Sequence, residues 1–415
     1  MNFMTPEALL ARITYMALNN PSKTAIADSK GNYSYVMLYD AVKGYRCDGP
    51  IDIIEGERSF DTVSRMIGAY CNSIPYVCME EKMPDSFRED LLKGVSRTVP
   101  GDVAYVTYTS GTTGKAKGIA IRRKSLGLFV EAFVKEIELD ESIVVGGVSP
   151  LDFDISVKDI YASIYCGGTY VVMDRILFFD PRRMYEVIIS HGINTLFWTA
   201  SSLGLMSELD VLGFGEHSLR LVVSSAEVMS GFTYDYLRLH KVAIINAYGP
   251  TETTCNCTYY KAKDGDTVPL PIGSAFPCCE VYVEDDQLVV RGDTILGYYV
   301  TEEGFIPYDK DYYKTGDRIS IRDGQMYFAG RFDDQVKYRG HRLELSGVEA
   351  LLLSVEGVTA AKASIDDGVL KLSYEGTPGE SEVMNYLKKK LPSYAIPIVK
   401  KERLERNSHN KIKRS

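Results

Sequence analysis

The amino-acid sequence predicts an α/β protein with a large N-terminal region and a small C-terminal domain. Apolar runs such as "GGTYVVMDR" and "INTLFWTASS" alternate with helical patterns such as "RRMYEVIISHG", which is typical of mostly parallel sheets flanked by helices. After Pro271, shorter alternating segments such as "EVYVEDDQLVVRG" predict a small antiparallel β subdomain. From about Phe332 to the end, a separate hydrophobic set predicts a small α+β domain.

Length and charge support a division near residue 332. A chain of 415 residues is too long for one ordinary core. Residues 332–415 carry 15 Lys or Arg and 12 Asp or Glu, a balance of +3, whereas the other residues carry 32 and 44, a balance of −12. We therefore expect residues 1–331 to form an N-terminal region and residues 332–415 to form a C-terminal domain.

Composition excludes several classes of protein. The net charge of −9 argues against nucleic acid as the main partner. The first residues lack the basic leader of a signal peptide, and no window approaches the roughly 18 consecutive apolar residues of a membrane span. The eight cysteines have neither zinc nor disulfide-framework spacing. We expect a cytoplasmic monomer without a membrane span.

A glycine-rich stretch, "YTSGTTGKAKG" at residues 108–118, follows an apolar strand pattern. Backbone N–H groups at glycines can surround a phosphate, and hydroxyl and lysine side chains can complete the site. The Walker pattern does not fit, because Thr109 stands five residues before Gly114 and Ala116 follows Lys115. Alone, the stretch is compatible with either a phosphate loop or a plain surface loop.

Five further segments with distinctive sequences follow this stretch along the chain. The complete set resembles the signatures of the adenylate-forming superfamily, which includes acyl-CoA synthetases, luciferases and the adenylation domains of nonribosomal peptide synthetases. The closest whole-chain likeness is to stand-alone D-alanine–carrier protein ligases and single adenylation domains. After the glycine-rich stretch the matching segments are "NAYGPTETT" (246–254), "YKTGDR" (313–318), "GRFDDQVKYRGHRLELSGVE" (330–349), "LPSYAIP" (391–397) and "NKIK" (410–413).

The resemblance implies an ATP site built from these segments. Tyr248 would stack on adenine beside the backbone of neighbouring residues, Asp317 would accept hydrogen bonds from the ribose hydroxyls, and Arg331 would assist there. The β- and γ-phosphates would lie in the glycine-rich stretch. The residues implied in ATP binding are Thr109, Ser110, Gly111, Thr112, Thr113, Gly114, Lys115, Lys117, Asn246, Ala247, Tyr248, Gly249, Asp317 and Arg331.

The resemblance also implies two chemical steps. A carboxylate would join the α-phosphate of ATP, and a phosphopantetheine thiol on a separate carrier protein, or CoA, would then take the acyl group. Thr251 would contact the α-phosphate, Glu252 would bind Mg²⁺, and Lys411 would neutralise charge between carboxylate and phosphate. The C-terminal domain would be mobile and would pivot at Asp333 between the steps. Since the sequence stops just past Lys411, we expect the carrier to be a separate chain.

The segment "LDFDISVKDIY" at residues 151–161 favours an amino acid as the substrate. In amino-acid-activating members the aspartate of F-D-x-S binds the substrate's α-ammonium group, and Asp154 stands at that position. Asp154 could alternatively cap a helix, and Lys158 could pair with Asp159, point to solvent or meet a polar or acidic substrate side chain. The implied pocket, with Phe153 beside it, comprises Asp154, Ile155, Lys158, Phe197, Val223, Ser225, Ala247, Cys255, Asn256 and Lys411.

Two other functions stay open at this level. An acyl- or aryl-CoA ligase would share the ATP site but would not need Asp154. A catalytically weak homologue that binds nucleotide or a carrier is suggested by Ala116, where the family usually has proline, and by residues 409–410, where it commonly has Asn-Gly. The segment "GFGEHSL" around Ser218 resembles the pantetheine site of a carrier, but it lies within the α/β pattern and we expect no such site.

Overall fold

The computed structural model describes residues 3–79, 85–110, 116–332, 335–339, 341–366 and 368–404. Eleven α-helices lie within these residues, and several begin at a serine, threonine or aspartate whose side chain accepts a backbone N–H of the first turn, as at Thr5, Ser59 and Asp180. The helices are α1 Pro6–Asn19, α2 Tyr35–Gly44, α3 Phe60–Cys71, α4 Asp85–Val95, α5 Arg123–Glu136, α6 Asp154–Cys166, α7 Pro181–Ser190, α8 Ala200–Glu208, α9 Gly231–Leu239, α10 Leu345–Leu353 and α11 Glu380–Lys390.

The strands of the described residues coincide with the apolar and alternating runs of the sequence. They are β1 Thr24–Asp28, β2 Gly31–Ser34, β3 Asp52–Glu55, β4 Tyr76–Met79, β5 Val103–Ser110, β6 Ala116–Arg122, β7 Val144–Gly147, β8 Thr169–Val172, β9 Thr195–Thr199, β10 Leu221–Ser225, β11 Ala243–Tyr248, β12 Thr258–Lys261, β13 Ser274–Ala275, β14 Glu280–Glu284, β15 Gln287–Arg291, β16 Tyr298–Thr301, β17 Gly304–Pro307, β18 Tyr312–Arg322, β19 Gln325–Arg331, β20 Gln335–Tyr338, β21 His341–Glu344, β22 Val358–Asp366, β23 Val369–Gly376 and β24 Ile398–Lys401.

Two large sheets form the N-terminal region. In the described residues the first has nine strands in the order β13-β12-β11-β10-β9-β7-β8-β1-β2, and its six central strands, β11 to β1, are parallel. The second has the order β17-β16-β6-β5-β4-β3, of which only β3, β4 and β5 are parallel. The mostly parallel arrangement is therefore confirmed for the first sheet, whereas hairpin connections make half of the second sheet antiparallel.

The largest hydrophobic core lies between these two sheets. It contains the inward faces of α1, α2, α3, α5 and α6 together with residues of both sheets, such as Tyr105 and Val145. A second core covers the other face of the nine-stranded sheet with α7, α8 and α9. The predicted α/β class is confirmed by these layers. No helix of the described residues is long and apolar enough to cross a membrane.

The smaller units follow in sequence. Strands β14, β15, β18 and β19 form the antiparallel sheet predicted after Pro271. Beyond residue 332, the β20–β21 hairpin, α10, α11 and the sheet β22-β23-β24 share a hydrophobic core, which includes Leu352, Leu372 and Leu387 and, among the described residues, is formed by residues between 336 and 399. The exact boundary between the predicted domains stays a prediction.

Candidate active site

The candidate site lies at the carboxyl edge of the nine-stranded sheet. Strands β7, β9, β10 and β11 are parallel, so their last residues meet at one edge. Ser225 ends β10, Tyr248 ends β11, and α6 begins at Asp154 shortly after β7. Ligands of open α/β sheets bind at this edge, so the topology brings predicted ATP and substrate residues to one place.

A pocket of about 410 Å³ opens beside the end of β11. Its lining includes Asn246, Ala247, Tyr248, Asp317 and Arg331, which come from β11 and from the consecutive strands β18 and β19. All five were predicted to bind ATP. The structure therefore brings the adenine and ribose residues implied by the motifs into one cavity, although their contacts with nucleotide stay a prediction.

Asp317, Arg331 and Tyr248 form a buried polar cluster in this pocket. The Arg331 guanidinium donates to Asp317 Oδ1, and the Tyr248 hydroxyl donates to Asp317 Oδ2. Arg331 Nη1 also donates to the carbonyl of Thr315, at 3.2 Å. The Asp317 side chain is 2% exposed and the Arg331 side chain is 10% exposed, so this ion pair is shielded from water. A carboxylate can accept about four hydrogen bonds, so Asp317 keeps acceptor capacity for two ribose hydroxyls.

Electrostatics keep Tyr248 protonated. Burial raises the pKa of the Tyr248 hydroxyl well above its ordinary value, and the negative charge of Asp317 raises it further. The phenol therefore donates its proton to Asp317 across the physiological pH range. This bond fixes the Tyr248 ring, whose centroid lies 6.5 Å from that of Phe328, on one side of the cavity.

Apolar residues complete the pocket, and the sequence motifs did not identify them. Met229, Leu270, Ile272 and Phe328 come from three segments and line the cavity together with Val336 of β20. Such residues look like ordinary core positions in the sequence. One sequence feature could have identified Phe328 as a pocket residue: it lies on β19 two positions before Gly330 and three before Arg331.

A tight turn after β11 carries Glu252 and part of the substrate pocket. Thr251–Thr253 form a short 3₁₀ helix in which Glu252 is buried, and the N–H of Leu296 donates to the Glu252 carbonyl at 2.8 Å. Thr254 and Cys255 follow with φ of 58° and 71°. A β-branched residue rarely adopts such a backbone, and strain of this kind clusters at functional sites. The turn directs Cys255 and Asn256 back toward β11.

Gly249 makes this turn possible. A Cβ at this position would lie 2.6 Å from the Asn256 Cα and 2.8 Å from the Cys255 carbonyl oxygen. We expect Gly249→Ala to lower the free energy of unfolding by about 1–3 kcal/mol, the usual cost of overpacking. Urea denaturation should reveal the loss, whereas Gly31→Ala, whose Cβ would meet nothing within 4 Å, should stay within about 0.5 kcal/mol. Equal stability of the two variants would contradict the close approach.

The predicted substrate residues surround the start of α6. Asp154 is the first residue of the helix and is buried, and the capping position is Phe153. The alternative that Asp154 is the helix cap is therefore wrong. Phe197 on β9, Ser225 on β10 and Cys255 are also buried. The four buried side chains belong to elements that meet at the carboxyl edge of the sheet.

Lys158 occupies an unexpected position. Its side chain is completely buried, which excludes the solvent-exposed alternative. Nζ donates to Ser225 Oγ at 2.9 Å and to Asn256 Oδ1 at 3.1 Å, and it lies 5.8 Å from the Phe197 ring centroid. Within the described part of the chain it forms no ion pair with Asp159, whose carboxylate oxygens have no hydrogen-bond partner there. The lysine is therefore part of the predicted substrate pocket.

Residues 111–115 of the glycine-rich stretch lie outside the described residues. On either side of them, backbone pairing joins Thr109 to Lys117 and Ser110 to Ala116, so β5 and β6 are antiparallel neighbours up to these positions. The Thr107 hydroxyl donates to the carbonyl of Asp152 at 2.8 Å and connects β5 to the segment before α6. The predicted residues outside the described ranges are Gly111, Thr112, Thr113, Gly114, Lys115, Asp333 and Lys411.

The family model described as AMP-binding enzyme matches residues 61–299, more than half of the chain. The chain belongs to the AMP-binding enzyme family. The resemblance to the adenylate-forming superfamily is thereby confirmed, and with it the prediction of a ligase. An L-proline--[L-prolyl-carrier protein] ligase from Pseudomonas fluorescens is 31% identical over 76% of this chain, and the match covers 68% of that ligase.

Other proteins similar to this chain are either much longer or have a lower sequence identity to it. Tyrocidine synthase 2 from Brevibacillus parabrevis is 29% identical over 76% of the chain, and the match spans only 10% of that synthase. The solved adenylation domain AlmE from Vibrio cholerae, in complex with glycyl-adenosine-5'-phosphate, aligns with a TM-score of 0.84 at 19% identity and covers 99% of this chain and 97% of that one. At this identity the structural likeness supports the fold.

Proposed function

We propose that this chain activates an amino acid with ATP and transfers it to the phosphopantetheine thiol of a carrier protein. In the first step a carboxylate oxygen of the amino acid attacks the α-phosphorus of ATP, and pyrophosphate leaves. In the second step the thiolate attacks the acyl carbon and AMP leaves. One observation carries the proposal: the buried carboxylate of Asp154 and the pocket of Tyr248, Asp317 and Arg331 lie at the same edge of one sheet.

The ATP half of the proposal rests on the polar cluster and on the turn that follows β11. Tyr248 would cover the adenine, Asp317 would accept the ribose hydroxyls, and Thr251 would contact the α-phosphate. Glu252 would hold Mg²⁺. A single buried carboxylate fits this role, because Mg²⁺ commonly takes one or two carboxylates together with substrate phosphates. When bound, the ion would neutralise phosphate charge.

The amino-acid half of the proposal rests on Asp154. A buried carboxylate at the start of α6 can form a charge-assisted hydrogen bond with an ammonium group, which a plain acid does not offer. This argues against the acyl- or aryl-CoA ligase alternative. The names of the relatives, which include a carrier protein ligase and peptide synthases, support the same choice.

The C-terminal domain would contribute to both steps. Val336 of the β20–β21 hairpin lines the ATP pocket, and β21 packs against β5, the strand that leads to the glycine-rich stretch. Exposed Lys388, Lys389 and Lys390 at the end of α11 offer a positive surface to an acidic carrier. We propose that residues 332–415 move as a unit about Asp333 and carry Lys411 to the α-phosphate.

Asp154→Ala tests the substrate assignment. Loss of a charge-assisted hydrogen bond of about 1.5–3 kcal/mol corresponds to a rise of about 10- to 150-fold in the KM for the amino acid, with little change in the KM for ATP. Steady-state pyrophosphate exchange measures both constants. The matched control is Asp180→Ala, which removes a capping bond to the Arg183 N–H far from the site and should cost only about 1 kcal/mol of stability. An unchanged amino-acid KM in Asp154→Ala would refute the assignment.

A further inference from the structure

Lys158 places a buried positive charge inside the predicted substrate pocket. The two groups that accept its hydrogen bonds, the Ser225 hydroxyl and the Asn256 side-chain carbonyl, are both neutral. Its other neighbours are the rings of Phe133 and Phe197, whose centroids lie 5.6 and 5.8 Å from Nζ. Buried charges in proteins are normally paired with an opposite charge, and none of these four neighbours within the described residues supplies one.

The adjacent carboxylate, that of Asp159, does not supply this opposite charge. Asp159 is fully buried one residue further along α6, and it forms no ion pair with Lys158 within the described part of the chain. Burial raises the pKa of the Asp159 carboxyl well above its ordinary value, although Lys158 and Arg58 oppose this shift. Desolvation therefore opposes the ionised form of Asp159 and makes it a poor counter-charge for Lys158.

The spacing along α6 aligns Lys158 with Asp154. Residues four apart lie on the same face of a helix, with Cβ atoms about 5–6 Å apart. If Asp154 binds the α-ammonium group, Lys158 lies one turn deeper, in the direction available to the substrate's side chain. A lysine ammonium has three donors, and two of them are used within the described residues. The third can bind a ligand.

We propose that the amino acid activated by this chain carries a side-chain carboxylate, which binds Lys158 Nζ. This inference rests on the proposed function. The centroids of the Phe133 and Phe197 rings lie 5.6 and 5.8 Å from Nζ and limit the space beside it, so a side chain of aspartate or glutamate length fits best. Asn256 and Ser225 position the ammonium, and Asp154 and Lys158 bind the two oppositely charged ends of the substrate.

A substrate panel on the wild-type chain tests the inference without any variant. We expect aspartate or glutamate to support pyrophosphate exchange with a kcat/KM at least about tenfold above that of the amide of equal length, because a salt bridge replaces a neutral hydrogen bond. Exchange that is best with an amide, with glycine or with an apolar amino acid would overturn the inference and leave the proposed function intact. Exchange with no amino acid would overturn both.

Lys158→Met keeps an unbranched side chain of similar size and removes its charge. We expect kcat/KM for the acidic amino acid to fall at least about 100-fold, which corresponds to the loss of a buried charged partner, while the KM for ATP changes less than about threefold. The variant is compared with wild type by thermal melting. Retained preference for the acidic amino acid in a folded Lys158→Met variant would contradict the inference.

Asn256→Asp provides a second variant in which the lysine stays in place. The new carboxylate would lie at the position of the amide that Nζ now contacts at 3.1 Å. It would neutralise the ammonium internally, so we expect selective loss of acidic substrates and a relative gain of their amides. An unchanged ratio of acidic to amide substrate would contradict the assignment even if Lys158→Met does not fold.

Discussion

Lys411→Ala should slow the formation of the aminoacyl adenylate by about 10²- to 10³-fold, or roughly 3–4 kcal/mol, the usual cost of removing a preorganised charge from a transition state. The first step brings a carboxylate and a triphosphate together, so a cation between them lowers the repulsion as the bond forms. Transfer to the thiol involves a neutral acyl group and an AMP leaving group. The rate of this transfer should therefore fall far less in Lys411→Ala.

The two half-reactions separate these effects. Pyrophosphate exchange reports adenylation, and thiol loading from supplied aminoacyl adenylate reports transfer. Lys413→Ala is the matched control, because it removes the same charge two positions away in the same basic segment, and it should change both rates by less than about threefold. An equal loss of both half-reactions in Lys411→Ala would mean that the catalytic cation lies elsewhere.

Asp317→Ala should impair both stability and ATP binding. The change leaves the Arg331 guanidinium buried without its carboxylate and leaves the Tyr248 hydroxyl without its acceptor. Removing one member of a buried ion pair typically costs about 3–5 kcal/mol. Urea denaturation should report a loss of this size, and the KM for ATP should rise at least about tenfold because the ribose hydroxyls lose a charged acceptor.

Glu284→Ala supplies the comparison on the same antiparallel sheet. Glu284 pairs with Lys314 at 2.5 Å, but both side chains are about half exposed, so the variant should cost no more than about 1 kcal/mol. It should also leave the KM for ATP unchanged. If Asp317→Ala is no more destabilising than Glu284→Ala, the buried cluster does not support the fold. If its KM for ATP is unchanged, the pocket is not the ribose site.

The strands around the site were predictable because each is a short apolar run followed by polar or glycine residues. The runs that end near Thr199, Ser225 and Tyr248 became β9, β10 and β11, and parallel pairing forces their ends together. The motifs then indicated which residues at that edge carry the chemistry. Composition and motif order were therefore sufficient for the fold class and for five residues that line the pocket beside β11, whereas its other lining residues were not predicted as site residues.

The contacts within the site were not predictable from these patterns. Asp317 faces Arg331 only because an irregularity between Asp317 and Ile319 shifts the pairing of β18 and β19 by one residue; without it, the register of Ile319 with Phe328 would place Asp317 opposite Gly330. The positive φ of Thr254 contradicts its β propensity. Lys158 was unpredictable for another reason, because lysine is rarely buried and its usual position is the surface.

The most direct test of amino-acid activation is a pyrophosphate-exchange panel that pairs each amino acid with the corresponding acid lacking the α-amine. We expect exchange with at least one amino acid and a loss of at least about 100-fold for its amine-free counterpart, because the amine-free acid cannot form the charge-assisted hydrogen bond to the buried Asp154 carboxylate. Equal or faster exchange with amine-free acids would contradict the proposal and would favour an acyl-CoA ligase. If a folded chain that binds ATP shows no exchange with either the amino acids or the amine-free acids, the claim that the chain catalyses adenylation is contradicted.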